Sequence, residues 1–205
     1  MRILFATVIL LALLPAGADA QTSAPPLSRA DLSASTGWFS ADRPVAKYRT
    51  WSSGLFKGLQ GGYYWTDHLK TELEVAATGE TEVYSYSTLA PGPLPSYVSE
   101  HHSYRGVLVS AAQAYQFGRN AFFHPFLGAG FDVLRERDVV ERMTSSPGSV
   151  TTSAVTQTRL QARPFVMGGF KAYCSERVFF RTDLKAAYRN GFDQITWKLG
   201  FGIDF

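Results

Sequence analysis

His101 and Ser103 are the residues whose types and spacing come nearest to a reactive pair. A serine hydroxyl becomes a useful nucleophile when an imidazole takes its proton and an acid orients that imidazole. Here His101 would be the base, Ser103 the nucleophile, and Glu100 or Glu82 the orienting acid. A polar junction between a loop and a strand explains the same letters, and a two-residue motif needs its structural context before it means catalysis. His124 stands alone before Pro125, and the four histidines show no His-x-x-x-His spacing, so no metal site is expected. Cys174 is the single cysteine, which excludes an internal disulfide and a multi-cysteine metal site. Gly128 and Gly130 precede no helix, so they are read as small residues in a strand rather than a phosphate loop. No catalytic residue, cofactor or metal ligand is assigned from these patterns.

The elements that would position such residues alternate with period two. Candidate strands are Asp31 to Phe39, Ser53 to Trp65, Leu69 to Thr78, Tyr104 to Phe117, Ala121 to Val133, Thr158 to Ala172, Val178 to Arg189 and Gln194 to Phe205. In the seventh, Phe180, Leu184 and Tyr188 oppose Arg181, Asp183 and Lys185. In the last, Ile195, Trp197, Leu199, Phe201, Ile203 and Phe205 oppose Thr196, Lys198 and Asp204. Strict alternation marks a strand with one apolar face. Short polar connections at 66–68, 118–120 and 175–177 suit hairpins. They alternate with connections at 40–51, 79–103 and 144–157, expected as longer loops, and a short one at 190–193. The breakers at 90–95 and 145–148 fall inside those loops, so a single domain is expected.

The chain begins with Arg2, an apolar run from Ile3 to Leu14, and Ala18-Asp19-Ala20. That is the plan of a secretory signal peptide, residues 1–20, with cleavage near Ala20. The run is too short for a membrane helix, which needs about 20 apolar residues. Residues 21–30 read as a flexible leader and 31–205 as the folded domain. The formal charge of +3 contains no block of like charges, so nucleic-acid binding is not expected.

Eight alternating strands can close around an apolar interior, as in soluble barrels, or around a polar one. The polar face here carries Lys70, Glu72, Glu74, Asp132, Arg159, Arg163, Arg181, Asp183, Lys185, Lys198 and Asp204 among many Gly and Ala. Both signs beside small neighbours suit a narrow lumen of ion pairs, because an unpaired buried ion costs several kcal/mol, at least about 3. The bulky apolar face, with Trp38, Trp197, Phe117, Phe123 and Tyr188 placed near strand ends, suits lipid and its aromatic girdles. Short turns would then lie on the periplasmic rim.

The terminal strand Gln194 to Phe205 and the segment from Ala111 to Val133 give the chain its resemblance to small eight-stranded outer-membrane β-barrels of the OmpA/OmpX type. The fold class expected is all-β, an antiparallel up-and-down transmembrane barrel in the bacterial outer membrane. The resemblance implies that a final aromatic, Phe205, is read by the barrel-assembly machinery. It implies outer-membrane lipid and lipopolysaccharide as surroundings, with Arg135, Glu136, Arg137, Asp138, Glu141 and Arg142 on a solvated strand extension that could touch lipopolysaccharide head groups. A monomer is expected. The peptidoglycan-binding domain that follows the barrel in longer relatives has no counterpart, so cell-wall tethering is not expected. A structural, surface-interaction or membrane-integrity role without a wide pore is the leading reading. A narrow porin-like channel is the alternative. A lipid A-modifying enzyme comes third, because lipid A deacylases carry a His-x-Ser pair with a Glu, but near their C-terminal strands.

Overall fold

Side chains that alternate along a strand let one chain present a dry wall and a charged wall at once. In the computed structural model, which describes residues 29–45, 48–90, 96–117, 122–189 and 191–205, the described residues form eight strands. They are β1 (Ala30–Val45), β2 (Tyr48–Tyr64), β3 (Leu69–Ala90), β4 (Ser96–Gln116), β5 (Phe123–Ser146), β6 (Ser149–Tyr173), β7 (Val178–Tyr188) and β8 (Phe192–Asp204). Each pairs antiparallel with its chain neighbour, and β8 closes the ring on β1. The signal peptide, most of the leader, and the breakers at 91–95 and turn at 118–120 lie outside the described residues.

Paired residues followed once round the ring lead from Asp31 through Gly62, Glu72, Ala112, Gly130, Phe165, Ala187 and Gln194. They return to β1 at Ala41, ten residues further along. This stagger is what tilted strands need to close a barrel. The alternation sets the two faces as expected: Leu59, Leu73, Leu127, Phe131 and Phe201 point out, while Lys70, Glu72, Arg163 and Lys198 are buried inside. Gly37 marks a close approach between β1 and β8. A Cβ there would stand 1.9 Å from the Trp197 carbonyl oxygen. Beside it Trp38 and Trp197 stack on the outer wall, ring centroids 5.7 Å apart.

The expected long loops are corrected by the structure: they are strand. The segments 40–45, 48–51, 79–90, 96–103, 144–146 and 149–157 continue their ladders. A membrane crossing needs only about 9–11 strand residues, yet β5 and β6 have 24 and 25. The two wings of the barrel part company above the belt. Pairing of β2 with β3 stops at Phe56–Thr78, and of β6 with β7 at Phe165–Ala187. Pairing of β3, β4, β5 and β6 with one another runs on to Ala90–Ser96 and Ser146–Ser149. The result is a four-stranded sheet projecting beyond the barrel. A register shift between Thr78 and Thr81 inverts the phase of β3, so that Glu82, Tyr84 and Tyr86 point outward where Leu73, Val75 and Ala77 did below. At the tip, Pro147 and Gly148 turn β5 into β6, and Gly148 adopts φ 84°, a conformation open to glycine.

Candidate functional site: the lumen and the projecting sheet

Charges on β1, β3 and β5 to β8 converge inside a narrow tube where they are almost wholly buried. The sequence meets this by pairing every sign. At the rim holding the short turns, Asp31 accepts hydrogen bonds from Lys70 at 2.5 Å and Lys171 at 2.7 Å. Lys171 also reaches Asp204 at 3.0 Å and lies over the Phe179 ring. One level up, Arg181 donates two hydrogen bonds to Glu72, at 2.6 and 2.9 Å, and a third to Asp183. Lys198 then joins Asp183 to Glu74, at 3.2 and 2.6 Å. Lys185 bridges Glu74 and Asp132, and Arg163 grips Asp132 and Asp193. From Asp31 to Asp193 no link in this chain of shared ions exceeds 3.7 Å. Phe56, Phe126, Phe165 and Phe179 fill the gaps between the ions.

Such a lattice leaves little room. A cavity of about 50 Å³ opens at the mouth near Tyr64, Gln116, His124, Tyr173 and Asp204. Ligand pockets run from about 300 Å³. Above the lattice Arg43 pairs with Glu136 and lies over the Tyr104 ring, and His102 sits 3.4 Å from Asp138.

The candidate reactive pair is split by its neighbours. Ser103 and His101 share the outward face of β4, but the Ser103 hydroxyl donates to Glu80. His101 stacks on Tyr84 with centroids 4.4 Å apart, and its ring nitrogens lie 3.7 Å from Glu82 and Glu141. Glu100, the other proposed acid, is paired with Arg142. The hydrogen bond from Ser103 and the nearby Arg105 guanidinium hold the Glu80 carboxyl below its ordinary range. Hydrogen bonding to Glu82 pushes the Tyr84 phenol up. His124 approaches Gln116 at the turn-side rim. Cys174 is free and exposed at the β6–β7 turn. Among the described residues no three His, Cys, Asp or Glu side chains are grouped to hold a metal ion.

The polar face read from the sequence is the lumen wall, with one correction. Arg159 lies in phase with it but on the part of β6 that β7 no longer covers, so it is exposed. Within the lumen Asp204 meets Lys171. Lys171 and Asp193 escaped the sequence reading, and Asp31, opposite the apolar side of its strand, was not counted among the lumen charges. For Lys171 the signal was present, since it continues the inward phase of Arg163, Phe165, Met167 and Gly169. Trp38 and Trp197 are not at strand ends, because their strands run on past them.

A closed eight-stranded ring with a dry exterior and a paired ionic lumen defines a transmembrane β-barrel of the bacterial outer membrane. The chain belongs to the outer membrane protein beta-barrel domain family, whose model matches residues 6–205. Among solved structures it resembles the N-terminal β-barrel domain of Pseudomonas aeruginosa OprF, with 16% identity, a TM-score of 0.55, and coverage of 88% of this chain and 100% of that one. Neisserial surface protein A matches with 14% identity and a TM-score of 0.56, covering 88% and 100%. OprG of P. aeruginosa matches with 13% identity and a TM-score of 0.50, covering 87% and 97%. These likenesses concern the fold. No curated protein sequence matches the chain.

Proposed function

We propose that the protein is an outer-membrane anchor whose working surface is the projecting sheet of β3 to β6, with the barrel as a closed support. The observation that carries this reading is the contrast between a lumen filled by one chain of ion pairs and four strands that continue together well past it. The free edges support it further. Beyond Thr78 the far side of β3 has no ladder to β2, and between Ser149 and Pro164 β6 has none to β7. Unpaired N–H and C=O groups of this kind accept another strand, and most sheets cover or blunt them. The role is a surface-interaction one, with no chemistry assigned to His101 or Ser103. The barrel works as a monomer, delivered by the assembly machinery through the strand that ends in Phe205, after removal of residues 1–20.

Trimming both hairpins, so that β3 joins β4 near Thr78 and Val107 and β5 joins β6 near Val133 and Leu160, tests the reading. Cells displaying the full chain should adhere to a second cell surface or to one another more than cells displaying the trimmed barrel. Both proteins should show the heat-modifiable gel migration of an assembled barrel. Equal adhesion with equal assembly would count against the sheet as the working surface.

A further inference from the structure

On the outer wall of β4 and β5 the side chains change character in a fixed order. Next to the apolar pairs Val109–Val133 and Ala111–Phe131 comes a basic tier: Arg105 on β4, Arg135 and Arg137 on β5. Arg105 and Arg137 stand directly opposite each other, and Arg135 opposes Val107. All three are exposed. Like charges directly opposite across an antiparallel pair repel, so this arrangement costs stability unless an anion sits between them. Glu80 relieves Arg105, at 3.0 Å. No described carboxylate lies within ion-pair distance of Arg135 or Arg137, and their chain neighbours Glu136 and Asp138 are buried on the opposite face. Lys57 on β2 also faces outward on the lipid-facing wall, in register with Ala77, which pairs in turn with Val107. A lysine there can extend its ammonium upward to the same level.

Further out on the same wall lies an aromatic tier. Tyr84 and His101 stack almost parallel, at 3° between planes; Tyr86, opposite Ser99, and Tyr97, opposite Thr88, follow further out along the strands. Tyr86 is 81% exposed, so its ring faces are available. Glu82 and Glu141 flank this tier as hydrogen-bond acceptors. Outward side chains recur about every 6.6 Å along a strand, so Arg105 to Tyr97 extends roughly 26 Å along β4.

From the membrane upward the wall therefore offers apolar side chains, then a guanidinium tier in which Arg135 and Arg137 have no described carboxylate partner, then flat aromatic rings with acceptors. We infer that this strip binds lipopolysaccharide of the surrounding outer leaflet: acyl chains against Val107, Val109 and Val133, lipid A phosphates on Arg105, Arg135 and Arg137, and inner-core sugars on Tyr84, Tyr86 and Tyr97. Guanidinium forks match phosphate oxygens in pairs, and ring faces pack on the C–H faces of sugars. The strip gives the lipopolysaccharide already expected around the protein a defined seat. It does so whether or not the sheet edges bind a partner.

The test uses the full-length protein in phospholipid nanodiscs, with bound glycolipid counted by native mass spectrometry. Three probes are compared: rough lipopolysaccharide with its inner-core sugars, bare lipid A, and enzymatically dephosphorylated lipid A. The wild type should retain phosphorylated lipid A at least about tenfold over the dephosphorylated form. R135E/R137E should abolish that preference, while R49E, a charge reversal at an arginine paired with Asp42 on the β1–β2 hairpin, should keep it. Y84A/Y86A should weaken retention of rough lipopolysaccharide and leave bare lipid A unchanged. Equal retention of phosphorylated and dephosphorylated lipid A by the wild type would overturn the inference, and that arm needs no variant to fold. So would full retention by an assembled R135E/R137E, or displacement of the lipid by a soluble polyanion such as heparin at equal charge, which would mark a non-specific basic patch.

Discussion

The same four strands behave as two materials. Below Val107 and Val133, β3 to β6 have an apolar outer face and a charged inner face, and the charges are buried in pairs. Above those residues the outer face turns polar, with Arg105 paired to Glu80 and Arg142 to Glu100, while the inner face stays buried at Tyr104, Glu136 and Asp138 before the strands open to water. The difference follows from what each wall meets. Lipid excludes polar groups from the outside, and a narrow lumen excludes water from the inside. Farther out, where β5 and β6 are largely exposed on both faces, neither demand applies. An ion pair in the lumen is then structurally obligatory, and a pair on the sheet is close to optional.

Removing one lumen partner should break the contrast most strongly. Glu72→Ala leaves Lys70 and Arg181 facing each other without their shared carboxylate. Uncompensated buried charge costs about 3–5 kcal/mol, so the unfolding midpoint in urea with lipid vesicles should fall sharply or the barrel should fail to assemble. Next comes the outer wall. Leu59 is mid-belt, between Ala34 and Val75. Leu59→Arg should cost about 2–4 kcal/mol at that depth, and Tyr86→Arg on the sheet less than about 0.5 kcal/mol, both read from the same titration. Third, Gly37→Ala pushes a methyl into the Trp197 carbonyl. Overpacking of that kind costs about 1–3 kcal/mol, and melting monitored by the gel shift should report it. Smallest is Glu100→Ala, which removes the partner of Arg142 on the sheet. Exposed pairs contribute up to about 1 kcal/mol, so its unfolding curve should nearly overlay the wild type.

The same contrast explains what could be read without coordinates. Every strand stretch within the membrane was legible, because lipid and lumen force a period-two code on residues such as Val178 to Tyr188 and Ile195 to Asp204. The lumen charges were legible for the same reason, as with Lys198, Glu74 and Asp183, which the alternation places on the polar face. The outer part of the projecting sheet was hidden, since no apolar face is needed where both sides are wet. In β3 the register shift between Thr78 and Thr81 also reverses the phase, so Glu82, Tyr84 and Tyr86 do not continue the pattern of Leu73 and Val75. Pairing across strands was beyond the sequence altogether. Nothing in the letters places Ser103 against Glu80, His101 against Tyr84, or Arg105 opposite Arg137.

Single-channel recording of the purified protein in planar lipid bilayers tests the closed lumen most directly. The proposal that the chain of pairs from Asp31 to Asp193 closes the lumen predicts a flat current from the wild type. Reproducible conductance steps from the wild type, altered in selectivity by Lys198→Glu, would contradict the account and return the lumen to the centre of the protein's function.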